Sequence, residues 1–308
     1  MLKKNQQSRR IYSYTLYSAL LTLSCNLSQA ATLTDFEPEM VKIPDGSARV
    51  GSNSGDRDEK PVHRVTLPSF ELSKHEITRG QFAIFVEETG YRTDAEKNSG
   101  DKKGCFAYRG GTSFGWVRGM NWRYAGFDQR NNHPVVCVSH NDALAYIDWL
   151  SNKTGKSYRL PSESEWEYAV RGGSNDRYSF GNDEEELCLH GNGADATLRE
   201  KLPRWPWLTM NCADGHAFTA PVGSLQVNPF GLHDMHGNVW EWTDDCWNDN
   251  YEEAPRDGSA WQSGDCHRGV VRGGSWSSIP KRLRPSNRGW NYRNHRYAFQ
   301  GFRIAREY

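Results

Sequence analysis

The chain has 308 residues, and its 38 Lys and Arg residues balance its 38 Asp and Glu residues, so the formal net charge at pH 7 is zero. This balance predicts no overall field that would favour nucleic acid, an acidic partner or a charged membrane surface, and it places any binding in local sites. With 36% hydrophobic residues, 29 Gly, 12 Trp and 14 Tyr, the composition indicates a globular, loop-rich protein anchored by aromatic side chains.

The amino terminus has the features of a secretory signal peptide. Basic residues between positions 3 and 10 precede an apolar run at 11–23, and Ala30 ends a small-residue cleavage motif. We expect residues 1–30 to be removed and 31–36 to form a short linker, which predicts a periplasmic or secreted protein with no stable membrane span. The alternatives are a membrane anchor, for which the run is shorter than the roughly 20 residues required, and lipidation at Cys25, where the preceding residues fit a lipobox poorly.

Three helices and three short strands are predicted from capping residues and periodicity. The helices run from Thr78 to Gly90, from Ser139 to Gly155, and from a capping box at Ser162 to Gly172. In the second helix we expect Leu144, Ile147 and Leu150 to face inward. The strands are expected at 64–67, 70–73 and 270–272.

Beyond Gly173 the pattern changes to turn-forming residues between aromatics, with no sustained helical period. This predicts long loops pinned by disulfides, ions or side-chain networks, and it makes the second half the better candidate for function. No linker, repeat or low-complexity tract separates the halves, so residues 37–308 are expected to form one domain.

Six cysteines remain once Cys25 leaves with the signal peptide, and an even number suits an oxidising compartment. The pairs Cys188–Cys212 and Cys246–Cys266 each bracket a Gly-, Asp- and Trp-rich loop, which leaves Cys105–Cys137. We predict these three disulfides. No CxxC spacing occurs, so a structural zinc site is not expected.

A series of short motifs occurs in order along the predicted domain. They are MVKIP at 40–44, EKPVH at 59–63, HEIT at 75–78, HPVV at 133–136, YRLPSESEWE at 158–167, NPFGL at 228–232, GNVWEW at 237–242, RGGSW at 272–276 and GFR at 301–303. Together they resemble the landmarks of the formylglycine-generating, or sulfatase-modifying factor, family. The resemblance implies an α+β, irregular, loop-rich fold, a variant of the C-type lectin fold with few helices and short antiparallel strands. We expect Trp166, Trp240, Trp242 and Trp276 to belong to its scaffold.

The resemblance also implies two structural calcium sites. Carried over by position, one uses Asp234 and Glu241 with the carbonyls of Gly237 and Val239, and the other uses Asn192 and Asp214 with the carbonyls of Gly193 and His216. Calcium takes about six to eight oxygen ligands and would pin these loops without doing chemistry. The alternative for the first site is that Asp234 caps a turn and Glu241 pairs with a buried arginine such as Arg303.

The catalytic residues of the family are missing. Family enzymes carry two cysteines shortly after Gly-Gly-Ser, which bind copper as thiolates and oxidise a substrate cysteine to formylglycine. Here the segment 273–284 contains no cysteine, Ser278 stands at the position of the first, and nothing in 279–308 replaces the second. Because Cu(I) requires soft thiolates, copper is not expected and no catalytic residue is assigned. His233 and His236 are interpreted as loop-anchoring residues.

Two classes of function remain. The resemblance to cysteine-less branches, including those linked to secretion-system signalling, favours an accessory or regulatory protein that binds a partner peptide or domain. The alternative is a periplasmic oxidative maturation enzyme that acts on a peptide or siderophore-like substrate.

The groove for the partner is expected to include Ser275, Trp276, Arg282, Arg284 and Trp290. Because Pro280 and Pro285 bracket them, Arg282 and Arg284 are expected to be exposed. Arg288 is expected either in this groove or as a buried pair-former, and Arg303 as a buried pair-former.

Overall fold

Regular secondary structure is short and scattered along the chain. The strands are β1 Met40–Ile43, β2 Gly46–Val50, β3 His63–Leu67, β4 Phe70–Ser73, β5 Cys105–Gly110, β6 Ser113–Val117, β7 Tyr158–Arg159, β8 Trp240–Trp247, β9 Asp265–Arg272, β10 Arg288–Tyr292, β11 Gln300–Phe302 and β12 Ala305–Glu307. The helices are α1 Arg79–Thr89, α2 Asp94–Lys97, α3 His140–Thr154, α4 Glu163–Arg171, α5 Leu187–His190 and α6 Ala196–Lys201. The α+β, loop-rich class expected from the sequence is confirmed.

These elements come from a computed structural model that describes Met1 and residues 36–97, 102–110, 113–204 and 208–308. Residues 35–308 form one compact unit. The predicted signal peptide, apart from Met1, lies outside the described residues, as do Cys25 and most of the linker. Among the described residues no helix is long and apolar enough to cross a membrane.

The three predicted helices form, and local capping explains each of them. Thr78, Ser139 and Ser162 each accept a hydrogen bond from the backbone of the third helical residue, whose side chain returns the bond. Each helix ends at a glycine in the left-handed conformation.

One inward-facing residue of α3 was predicted wrongly. Ile147 and Leu150 are buried, but Leu144 is 37% exposed, and Ala143 and Tyr146 occupy the core in its place. The inward stripe therefore follows the positions 143, 146, 147 and 150, which is the three- and four-residue spacing of a helical face.

The strands form two four-stranded sheets and two hairpins. The sheet orders are β1-β4-β12-β7 and β10-β9-β8-β11, and the hairpins are β2-β3 and β5-β6. The pairings are antiparallel except that of β11 with β8, which is parallel. The carboxyl-terminal strands thus lie within both sheets and bring residues 300–307 beside the first half of the chain.

Three disulfides tie the loops, with the predicted pairing. They are Cys105–Cys137, Cys188–Cys212 and Cys246–Cys266. The first joins β5 to the loop before α3, and the third joins β8 to β9.

The four tryptophans assigned to the scaffold are buried. Trp166 and Trp242 lie in two different hydrophobic clusters, and Trp276 lies in a third together with Phe127. The indole N–H of Trp166 donates to Glu241 at 2.7 Å, so that its polar atom is satisfied inside the core.

A buried network of ion pairs joins α4 to the second sheet. Glu163 accepts hydrogen bonds from Arg272 at 2.8 Å and from Arg288 at 2.7 and 2.8 Å. Glu167 accepts from Arg272 at 2.5 Å and from Arg171 at 2.7 Å. Burial opposes ionisation, but Arg288 and Arg272 hold the pKa of Glu163 below its usual range. The network is therefore charged, and each member depends on its partners.

Removing one member should expose this dependence. Arg272→Met should lower the free energy of unfolding by about 3–5 kcal/mol, because it leaves two buried carboxylates without their shared partner. The control is Arg268→Met on the same strand, whose partner Asp265 is at the surface, and it should change stability by at most about 1 kcal/mol. Urea unfolding measures both. If Arg272→Met lowered the free energy of unfolding as little as Arg268→Met does, the buried network would be dispensable for stability.

We expect His140 to make the stability of the fold depend on pH. Burial, with a contribution from Arg293, lowers the pKa of His140 to about 3, and its ring packs edge-on against Trp242 at 5.5 Å. The unfolded chain takes up this proton near pH 6.5, so stability present above that pH is lost as the pH falls toward the folded value. In the parent, this loss of unfolding free energy should be on the order of 3 kcal/mol at pH 4. The variant His140→Phe, which keeps an aromatic ring at this position, should not show it. An unchanged slope of unfolding free energy against pH in this variant would contradict the assignment.

Candidate functional site

The chain reverses direction directly after β9, at two consecutive glycines. Gly273 and Gly274 have φ angles of 93° and 78°. A Cβ atom on Gly274 would lie 2.6 Å from a methyl carbon of Leu283 and 2.9 Å from the carbonyl oxygen of Arg282. Glycine alone permits this conformation together with this packing, so the turn folds residues 275–283 back against themselves.

Ser278, at the position of the first family cysteine, is held inside this turn. Its Oγ accepts a hydrogen bond of 3.0 Å from the backbone N–H of Ser275 and lies 3.4 Å from the Ser275 Oγ. The residue is 4% exposed. Among the described residues no histidine or carboxylate forms a hydrogen bond with Ser278, so the geometry supplies no general base for it.

The same turn contains no thiolate. Leu283 is fully buried and packs with Tyr178, Leu187 and Met210. The cysteines of the described segments are all joined in disulfides. A ligand set of two free thiolates is therefore missing from this part of the chain.

The predicted groove is corrected by the structure. Ser275 and Trp276 are fully buried and Arg284 is 8% exposed, so these three do not form an open surface. Arg284 is buried because its guanidinium donates to Glu59 at 2.6 and 2.9 Å. Arg282 is exposed as expected, and Trp290 is 39% exposed.

Arg288 and Arg303 are both buried pair-formers. Arg288 is held by Glu163, and Arg303 donates two hydrogen bonds to Glu241, of 2.6 and 2.8 Å. Neither guanidinium is available to a partner at the surface.

An open cleft of about 970 Å³ lies beside the 275–283 segment. Its walls come from the loop at 51–54 after β2, from the loop between 175 and 182 after α4, and from residues 281–286. Arg49, Val62 and Arg171 complete the lining. Sequence reasoning missed this cleft because three distant segments build it, and the small polar run Gly-Ser-Asn-Ser at 51–54 was its one local signal.

The walls of the cleft are cationic. They carry Arg49, Arg171, Arg177, Lys281 and Arg284 against one acidic residue, Asp176. Four of these cations are paired with acids that do not line the cleft: Arg171 with Glu167, Arg177 with Glu184, Lys281 with Asp56 and Arg284 with Glu59. Because the chain has no net charge, this positive lining is a local feature.

The first predicted metal-binding loop has an unusual backbone. Asp234 and Asn238 have φ angles of 61° and 59°, and Gly237 has one of 117°. The Oδ2 of Asp234 accepts a hydrogen bond of 2.8 Å from Gly223 N–H, while its Oδ1 is buried without a partner among the described residues. The predicted alternative role of Glu241 is also seen, since both of its oxygens bind Arg303.

The second predicted loop lies against the first. The Nδ2 of Asn192 donates to the carbonyl oxygen of Phe218 at 2.8 Å, while its Oδ1 is buried without a partner in the described segments. The carbonyl oxygen of Asn192 accepts from Asn238 N–H at 2.7 Å. Asp214 accepts from the backbone N–H groups of His216 and Gly193, and burial raises the pKa of Asp214 to about 7.

Glu76 is a buried acid that sequence reasoning did not assign to any site. It is fully buried, and neither of its carboxylate oxygens has a partner among the described residues. Burial, with Asp234 and Glu241 nearby, raises the pKa of Glu76 well above its usual range. Its position in the HEIT motif at 75–78 was the available signal.

The two histidines beside Asp234 hold loops together. The Nδ1 of His233 lies 2.8 Å from the carbonyl oxygen of Leu225, and that of His236 lies 2.8 Å from the carbonyl oxygen of Leu283. Burial lowers the pKa of His236 to about 4, so its ring is neutral at pH 7. In the described residues no group of three or more His, Cys, Asp or Glu side chains is arranged to hold a metal ion.

A family model described as the sulfatase-modifying factor enzyme 1-like domain matches residues 27–308. The chain is 35% identical over 292 residues to the formylglycine-generating enzyme of Streptomyces coelicolor, a match that covers 87% of this chain and 88% of that enzyme. It is 31% identical over 292 residues to the inactive Cα-formylglycine-generating enzyme 2 of Bos taurus, covering 86% of this chain and 87% of that protein.

The fold is also similar to that of PvdO from Pseudomonas aeruginosa. The two structures superpose with a TM-score of 0.73 at 36% sequence identity, covering 90% of this chain and 97% of that chain.

Proposed function

Because the chain belongs to the family of sulfatase-modifying factor enzyme 1-like domains, we propose that it binds a peptide or protein partner without the copper-dependent oxidation implied by the family resemblance. The observation that carries this proposal is the absence of a free thiolate in the described residues around the Gly273–Gly274 turn. The position of the first family cysteine holds Ser278, and the six described cysteines are paired. A hydroxyl is a poor ligand for Cu(I).

The cationic cleft is the proposed binding site for the partner. Its volume of about 970 Å³ falls in the upper part of the range of about 300–1,000 Å³ that is common for ligand pockets. It lies beside residues 281–286, and loops form most of its walls, with Arg49 of β2 and Arg171 of α4 completing them. The partner role is accessory or regulatory in this proposal, as the resemblance to cysteine-less branches suggested.

We place this binding outside the cytoplasm. Three disulfides support an oxidising compartment, and the predicted signal peptide at 1–30 is consistent with export to the periplasm or secretion.

A second candidate function is oxidative maturation of a peptide or siderophore-like substrate in the periplasm. The observation that favours it is the cleft itself, because a concave polar site of this size also suits a small molecule. Copper-independent oxygen uptake that requires such a substrate would favour this candidate over the accessory role.

The absence of copper chemistry can be measured directly. The purified mature protein, given copper, a thiol reductant and a cysteine-containing sulfatase-type peptide, should retain no stoichiometric copper, consume no more oxygen than the same mixture without protein, and form no aldehyde. The formylglycine-generating enzyme of Streptomyces coelicolor, treated in the same way, is the positive control. Stoichiometric copper together with aldehyde product would overturn the proposal and would show that other residues hold the metal.

We further propose that calcium stabilises the loops around Asp234. Three buried groups without a hydrogen-bond partner among the described residues support this: the Oδ1 of Asp234, the Oδ1 of Asn192 and the carboxyl group of Glu76. Oxygen atoms of this kind, together with backbone carbonyls from irregular loops, suit a hard cation. In the first site Asp234 and Glu241 would act with the carbonyls of Gly237 and Val239. In the second, Asn192 and Asp214 would act with the carbonyls of Gly193 and His216.

The variant Asp234→Asn distinguishes a loss of calcium binding from a general loss of stability. Asparagine tolerates the left-handed conformation and can still accept from Gly223 N–H, so the melting temperature in a chelator should stay close to that of the parent. The parent should gain ~2.7 kcal/mol of stability at free calcium one hundred times its Kd, and the variant should lose most of this gain.

Thermal unfolding with calcium and with a chelator measures both effects. Asp128→Asn, an exposed site outside these loops, is the matched control and should keep the full calcium effect. An equal calcium effect in parent and Asp234→Asn, or none in the parent, would remove calcium from this site.

A further inference from the structure

Two arginines on the β2–β3 hairpin, beside the cleft, lie directly opposite each other. Arg49 on β2 is the cross-strand partner of Arg64 on β3, and both side chains are exposed. Their neighbours Val50 and His63 are buried, so the two guanidinium groups extend from the same outer face of the hairpin. Like charges opposed in this way destabilise a strand pair.

Neither arginine is neutralised within the described residues. Arg171 and Arg284 of the same cleft each bind a buried glutamate, whereas no ion pair or side-chain hydrogen bond joins Arg49 or Arg64 to another described residue. Two unneutralised guanidinium groups held side by side are an unfavourable arrangement for the free protein and a favourable one for a bound anion.

The two arginines line adjacent cavities. Arg49 lines both the large cleft and a smaller pocket of about 220 Å³, and Arg64 and Arg171 line the smaller one. Tyr168 and Asn175 add polar groups to the smaller pocket, and no acidic residue lines it. A ligand seated at the arginine pair can therefore continue into the cleft.

Resting on the proposed function, we infer that the partner is an acidic peptide segment whose carboxylates bind Arg49 and Arg64 while its chain follows the cleft toward Lys281. Arginine forms bidentate bonds with carboxylates, which gives the pair its specificity. The smaller pocket is bounded by the carboxyl-terminal end of α4, at Arg171, and by Gly173 after it. The negative end of the helix dipole disfavours a dianionic phosphate more strongly than a monoanionic carboxylate. A carboxylate is therefore the better-suited anion for this pocket.

The test uses fluorescence anisotropy with three labelled ten-residue peptides of alternating Gly and Glu, Gly and Gln, or Gly and Lys. The protein should bind the Glu peptide at least tenfold more tightly than the Gln peptide, with an affinity that falls as salt rises. Arg49→Gln and Arg64→Gln should each weaken this binding severalfold, and the double variant should bring it to the level of the Gln peptide.

Arg118→Gln is the matched control, because Arg118 is an exposed arginine on a turn that does not line the cleft. It should leave binding unchanged. The melting temperature of Arg64→Gln should equal or exceed that of the parent, since the variant removes one of two opposed like charges.

Three outcomes would overturn the inference: equal affinity for the Glu and Gln peptides, unchanged Glu-peptide binding in the double variant, or displacement of the Glu peptide by inorganic phosphate at a lower concentration than by free glutarate. Each would leave the proposed function standing if a peptide still binds. Copper retention and aldehyde formation would overturn the proposed function instead, and they are read in a separate assay.

Discussion

The buried pairing of α4 with Arg272 and Arg288 is the constraint on which the rest of the structure depends. Glu163 and Glu167 lie one turn apart on one helix and bind arginines from β9 and β10. Much of this chain lies outside long helices and wide sheets, which would otherwise supply the hydrogen bonds of its backbone groups. Charged side chains inside the core therefore fix the position of the second sheet against the helix. The Gly273–Gly274 turn follows directly after Arg272. Lys281, Arg284 and Ser286, which follow that turn along the chain, form one wall of the cleft.

A second buried pair sets the character of the cleft. Glu59 binds Arg284, and Glu167 binds Arg171, so two of the cations that line the cleft are neutralised by buried glutamates. The charge left for a ligand is therefore concentrated on the β2–β3 hairpin. The paired cations shape the cleft, and the unpaired ones are the groups to which the proposed partner would bind.

Local signals in the sequence were sufficient for the three capped helices, for the disulfide pairing and for the family landmarks. They were insufficient where a side chain finds its partner far along the chain. Arg284 was expected at the surface because two prolines bracket it, but its partner Glu59 is 225 residues away. Strand β8 was not predicted because its residues are almost all buried, so the alternation of an exposed strand is absent. The cleft was missed for the same reason as Arg284, since its lining is separated along the sequence.

The turn at Gly273 and Gly274 has a consequence for how such a protein can change. Its reversal comes from the two glycines and from the packing of Leu283, while the hydroxyl of Ser278 adds one hydrogen bond from the Ser275 N–H. A thiol at position 278 would differ from this hydroxyl by a single atom and would leave the two glycines in place. The same turn can therefore stand in chains with and without a reactive sulfur, so a shared fold does not by itself establish a shared reaction.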